Sequence, residues 1–142
     1  MKKIILGVAA LALTIGLYSF TTPVKTEKVT KVAIQNPDKG KEVFAKTCIA
    51  CHQANGQGVP NAFPPLAKSD YLNKDANRAI KTVLNGLSGP ITVNGKKFNA
   101  MMTPQALSDQ QVADVLTYVY SSWGNNGTKV TPAMVKAQRG KK

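Results

Sequence analysis

Residues 48–52 read Cys48-Ile49-Ala50-Cys51-His52, a C-x-x-C-H pattern. Two thiols three positions apart can add to two vinyl groups of one porphyrin, and the imidazole that follows them directly falls beneath the iron as a proximal ligand. The pattern therefore predicts one covalently attached haem of the c type, held through Cys48 and Cys51 with His52 on the metal. The cofactor would carry chemistry that the polypeptide lacks.

Other uses of paired cysteines compete with this reading. The chain has two Cys and one His, all inside the motif, so a four-ligand Cys/His zinc site cannot be completed within one chain. A thioredoxin-like dithiol expects a strand-to-helix junction in a βαβ pattern, whereas the residues before Cys48 read as a helix. A structural disulfide between the two cysteines is the third alternative.

The elements that must position the motif are legible in outline. Asn36-Pro37-Asp38 reads as a helix start, with a side-chain cap, proline at the first helical position and an acid in the first turn. That helix presents Gly40, Val43, Phe44 and Thr47 on one side before it reaches Cys48. Residues 53–69 are rich in glycine and proline and read as a loop wrapping something. A second helix is expected from Lys74 to Asn85, stopped by Gly86. Asn94-Gly95 between Ile91-Thr92-Val93 and Lys96-Lys97-Phe98 reads as a short β-hairpin. The last core helix opens at Ser108 with Gln111 three residues on, a capping-box signature. Its apolar face is Val112, Val115, Leu116 and Val119. Three helices make a thin core, so an enclosed haem would be structural as well as functional.

At 142 residues the chain allows one modest domain with tails. Lys2 and Lys3 precede an uncharged, mostly apolar run from Ile4 to Phe20. Its length falls between a signal peptide's apolar core and a spanning helix, so a cleaved signal and a retained anchor both stay open. Either places the remainder outside the cytoplasmic membrane, in the periplasm, where covalent haem attachment is also expected in bacteria. The expected organisation is signal or anchor over 1–23, linker over 24–36, haem domain over 37–124 and basic tail over 125–142. The net charge of +12 is spread unevenly, with +4 in residues 1–37, +3 in 38–124 and +5 in 125–142. Most of the basicity thus lies outside the domain, which argues against a nucleic-acid partner. It leaves the C-terminal stretch as a solvated tail or an electrostatic arm.

Taken together, these features resemble class I monohaem cytochrome c. The matching parts are the helix with Gly40 and Phe44, the C-x-x-C-H motif, and the looping segment with Pro64-Pro65-Leu66. They continue through a Met-bearing loop to a helix that opens Leu107-Ser108-Asp109. The string from Val115 to Gly124, together with the hairpin, is especially similar to the cytochrome c domains associated with bacterial copper nitrite reductases. The resemblance implies an all-α fold, three to four helices around one covalent haem, with a short β-hairpin insertion.

It also implies a second axial ligand in the loop from Asn99 to Ala106. Matching Phe98-Asn99-Ala100 to the family's aromatic-Asn-Gly puts that ligand at Met102. Counting back from Leu107-Ser108 leaves Met101 open. The family's usual Met-Pro is absent, since Thr103 separates Met102 from Pro104. With one histidine, bis-His ligation within the chain is excluded, and Met134 lies past the core. By the same resemblance the Pro64 carbonyl, or that of Pro65, would accept the proximal imidazole's N–H. Tyr71 and Trp123 are candidates for haem propionate contacts or for aromatic packing.

The function implied is one-electron transfer, Fe(III)/Fe(II), rather than catalysis. The partners would be redox proteins such as a membrane donor and a terminal reductase or oxidase. The chain would be a monomer or a complex subunit, attached to the membrane if its N-terminal segment is retained. A five-coordinate haem with peroxidase or gas-binding activity and a Cys-x-x-Cys thiol–disulfide oxidoreductase are the alternatives.

Overall fold

The structure is a computed structural model and describes residues 36–141, so the signal or anchor and most of the linker lie outside the described residues. Helix α1 spans Pro37–Thr47, and the Asn36 side chain accepts from the N–H groups of Asp38 and Lys39. A single turn, α2, follows over Ile49–His52.

The helix expected from Lys74 to Asn85 is α4, Ala76–Asn85, and a short helix that was not expected, α3, Asp70–Lys74, precedes it. The cause is local. Ser69 caps α3, and the Asp75 side chain caps α4 by accepting from Asn77 and Arg78 N–H, so Asp75 stays extended between them. Gly86 ends α4 at φ +77°, a conformation that favours glycine. The hairpin pairs β1, Ile91–Val93, with β2, Lys96–Phe98, in antiparallel register Ile91↔Phe98. Helix α5 runs Asp109–Ser121 and carries the complete Ser108/Gln111 capping box, a cap whose loss costs about 1 kcal/mol.

The core is the crossing of α1 on α5. It is made possible by Gly40, where a Cβ would run into the Asp114 carbonyl and come within 2.7 Å of Tyr118 Cβ. Phe44, Ile80, Val112, Val115, Val119 and Tyr120 fill it. Buried Asp114 accepts from Asn36 N–H at 2.9 Å and from Gln110 Nε2 at 2.9 Å, which ties the start of α1 to α5. Trp123 packs on Phe44 and Tyr118, with ring centroids 5.2 and 5.6 Å away. Aromatic packing is therefore its role.

The residues after 124, expected as a basic tail, are packed. Helix α6, Pro132–Gln138, starts at a Thr131 cap and rests on α4 and α5. Val130 and Val135 are fully buried in the same core, and Arg139 pairs with Asp109 at 2.7 Å. Among the described residues, six helices and one hairpin thus make a small, mostly helical fold. Two of the helices are short, and α6 lies beyond the expected domain. No described helix is long and apolar enough to cross a membrane.

Candidate haem site

A cavity of about 400 Å³ lies against α2, and Cys48, Cys51, His52, Pro64, Met101 and Met102 all line it. All six are candidates for attachment, ligation or orientation of the imidazole, and the chain brings them to one space from three separate segments. Its walls are apolar, with Leu72, Val83, Phe98 and Leu116 among them. That combination of apolar walls and few polar groups suits a large flat ligand.

His52 is oriented by the loop that follows it. Its Nδ1 lies 3.0 Å from the Pro64 carbonyl oxygen. A carbonyl can only accept, so Nδ1 carries the proton and Nε2 keeps its lone pair for a metal. Burial pushes the imidazole pKa down, and the Pro64 carbonyl opposes that by favouring the protonated ring. The neutral, ligating form is therefore favoured. Gly58 sets the position of this carbonyl. It has φ +67°, and a Cβ there would collide with Phe63 O and sit 2.7 Å from Pro64 O. Its own N–H donates to His52 O at 3.0 Å. Glycine was read only as a loop signal; its contact with the acceptor carbonyl is visible only in three dimensions.

Cys48 and Cys51 are not joined to each other by a disulfide. Burial pushes the Cys48 thiol up; the Thr47 hydroxyl, 3.3 Å from its sulfur, lowers it in part, and Cys51 adds a smaller upward push. A reactive redox cysteine needs the opposite, a lowered pKa.

The two methionines differ. Met102 is half-buried and its backbone is bridged to Leu87, whereas Met101 is 73% exposed. Tyr71 lines the cavity and carries Arg78, whose guanidinium carbon lies 3.8 Å from the Tyr71 ring centroid. Arg78 Nη2 also donates to the Tyr71 carbonyl. Arg78 itself lines the cavity, and its Nε is the one buried side-chain nitrogen or oxygen among the described residues without a partner.

These residues fit a haem. Two thiols and an imidazole with a free Nε2 supply attachment and a metal ligand, a thioether stands in the same cavity, and the orphaned Arg78 N–H suits a propionate carboxylate. Nothing in the surroundings of Arg78 along the chain marks it as a site residue.

The comparisons with known proteins agree with this geometry. The profile of the cytochrome c family matches residues 37–123. Cytochrome c-552 of Thermus thermophilus is 42% identical over 125 residues, covering 72% of this chain and 95% of that protein. The cytochrome c subunit of the quinone alcohol dehydrogenase of Gluconobacter oxydans is 33% identical over 90 residues, 61% of this chain but 19% of that subunit. The gluconate 2-dehydrogenase cytochrome c subunit of Pantoea cypripedii is 32% identical over 120 residues, 80% of this chain and 26% of that subunit. With the C-x-x-C-H turn, the carbonyl-oriented imidazole and the two crossed helices in place, the chain belongs to the cytochrome c family and takes one covalent haem c.

Proposed function

We propose that this chain is a monohaem, one-electron carrier in which Cys48 and Cys51 hold the haem and His52 and Met102 ligate its iron. The observation that carries the reading is that one cavity is lined by both thiols, the imidazole and Met102, with His52 Nδ1 engaged by Pro64 O at 3.0 Å. The bound haem supplies a one-electron iron couple, and a His/Met ligand pair raises its potential relative to harder ligands. The protein's own part is to hold the imidazole neutral and fixed, to present a thioether, and to keep water off the ring with apolar walls. With His52 and Met102 both holding the iron, a bound haem would leave no place for a substrate at the metal, which suits electron transfer rather than catalysis.

The alternatives fare worse. Peroxide cleavage calls for a distal base, and His52 is the only histidine. A thiol–disulfide oxidoreductase calls for a low-pKa thiol, and Cys48 is pushed the other way.

The partners are redox proteins, met at the exposed side of the cavity through a small, transient interface. Relatives named as cytochrome c subunits of dehydrogenases support a dehydrogenase or membrane donor on one side; a terminal reductase or oxidase would take the electron on the other. The tie to the copper nitrite reductase branch rests on the string Val115–Gly124 and the hairpin. Residues 1–23 would act as an export signal or anchor and 24–36 as a linker, which places the haem domain in the periplasm.

Two measurements on protein from a haem-competent host test the proposal. Intact-mass spectrometry should give the chain plus one haem, and the reduced protein should resist carbon monoxide at neutral pH. Ready carbon monoxide binding would overturn His/Met ligation, and an unmodified mass would overturn the carrier itself.

A further inference from the structure

The segment that bears Met102, residues 99–107, contains no helix or paired strand beyond its isolated bridge to Leu87. It is held at three places. Met102 exchanges main-chain hydrogen bonds with Leu87, and Gln105 N–H donates to Val83 O at 2.9 Å. Both of those ties run to the end of α4. The third is at the far end of the segment, where Arg139 Nη2 donates to Leu107 O at 3.0 Å. The same guanidinium donates through Nε to Asp109 at 2.7 Å, at the first turn of α5.

Arg139 is itself firmly mounted. Val130 and Val135 are buried, and Thr117 Oγ1 both donates to Val130 O and accepts from Val130 N–H, at 3.2 and 3.0 Å. The chain end then follows α4. Gln138 Nε2 donates to Asn77 Oδ1 at 3.2 Å, and Asn85 Nδ2 donates to Lys141 O at 3.1 Å. One segment therefore spans both supports of the Met102 loop, α4 on one side and the start of α5 on the other.

We propose that helix α6 and Arg139 act as a strap across these supports, and that Arg139 is a positioning residue for the distal methionine. The proposal rests on Met102 as the iron ligand. A loop with few main-chain bonds opens locally at less cost than global unfolding, and each tie removed raises its open population. An external ligand reports that population, because it reaches the metal only when the thioether has left. The Arg139–Asp109 pair is partly exposed, at 47% and 31%, and such pairs add little to global stability. Its role in the loop is thus separable from folding.

The test is imidazole titration of the ferric, haem-loaded full chain. Arg139→Gln should bind imidazole more tightly, by roughly two- to tenfold, the range one hydrogen bond supplies. Its sulfur-to-iron near-infrared band should persist without imidazole. Arg139→Lys, which keeps the charge but cannot make both bonds with one planar fork, should fall between. Unchanged imidazole affinity in Arg139→Gln, with only a lower thermal midpoint, would reduce Arg139 to a fold contact and overturn the proposal. Failure of the ligand assignment has its own signature: the near-infrared band would survive in Met102→Ala.

Discussion

Leu87 and Met102 exchange both main-chain hydrogen bonds, Leu87 N–H to Met102 O at 2.9 Å and Met102 N–H to Leu87 O at 2.8 Å. This two-way bridge fixes the backbone of Met102 against the end of α4 and leaves its neighbour to point elsewhere. Adjacent side chains on extended backbone face opposite ways. The outcome is a half-buried Met102 and a Met101 that is 73% exposed. Met102→Ala should abolish the sulfur-to-iron near-infrared band and lower the reduction potential, whereas Met101→Ala should leave both unchanged. The reverse pattern in the two spectra would transfer the ligand to Met101.

Arg78 offers a second measurement. It places a cation beside the cavity with an N–H that has no acceptor among the described residues. A nearby positive charge favours the reduced haem, which carries one fewer positive charge than the oxidised form. Arg78→Gln should therefore lower the reduction potential by on the order of tens of millivolts. Arg78→Lys should recover much of that loss. Equilibrium redox titration decides, and equal potentials in wild type and Arg78→Gln would remove Arg78 from the site.

The contrast between His52 and Arg78 explains what could be read from the sequence. His52, its thiols, the Ser108 capping box and the Asn94-Gly95 hairpin are local patterns, each complete within a few consecutive residues. Arg78 gains its meaning from Tyr71 and from a cavity assembled by distant segments, so no spacing announces it. The same holds for Gly58, whose contact is the Pro64 carbonyl. The C-terminal stretch misleads for a different reason. Five cations and no acid suggest solvation, yet Val130 and Val135 are buried in the core, and Arg139 finds its carboxylate on α5. The Asp75 side-chain cap starts α4 at Ala76 rather than Lys74, and α3 before it has five residues, too few for a helical period to announce.

The cavity's walls imply that folding depends on what fills it. Leu72, Val115, Leu116 and Val119 belong to the main core and also line the cavity. These side chains join the packing of the helices to the wall a haem would press on, and each Å² of apolar cavity wall covered by a bound haem contributes about 25 cal/mol. A Cys48→Ala/Cys51→Ala protein should lose most of its far-UV helical circular dichroism and its cooperative thermal transition. A native spectrum in that double variant would show that the helices hold without covalent haem.

Alkaline stability should be set in part by Tyr120. Its ring is fully buried, and its hydroxyl donates to Leu72 O at 2.9 Å. Burial pushes its pKa up to about 12, with Asp75 adding to the rise and Arg78 opposing it. An unfolded tyrosine ionises near 10. Below that pH both states keep the proton and the favourable burial is fully present. Between about 10 and 12 the unfolded chain releases a proton that the folded chain retains, so stability falls as pH rises, by on the order of 2–3 kcal/mol in all. Tyr120→Phe should be less stable at neutral pH by about 1 kcal/mol, since Leu72 O loses its donor. In exchange it should lose this part of the alkaline decline. Denaturant melts at pH 8 and pH 11 measure both effects, and equal alkaline slopes in the two proteins would show that Tyr120 titrates normally.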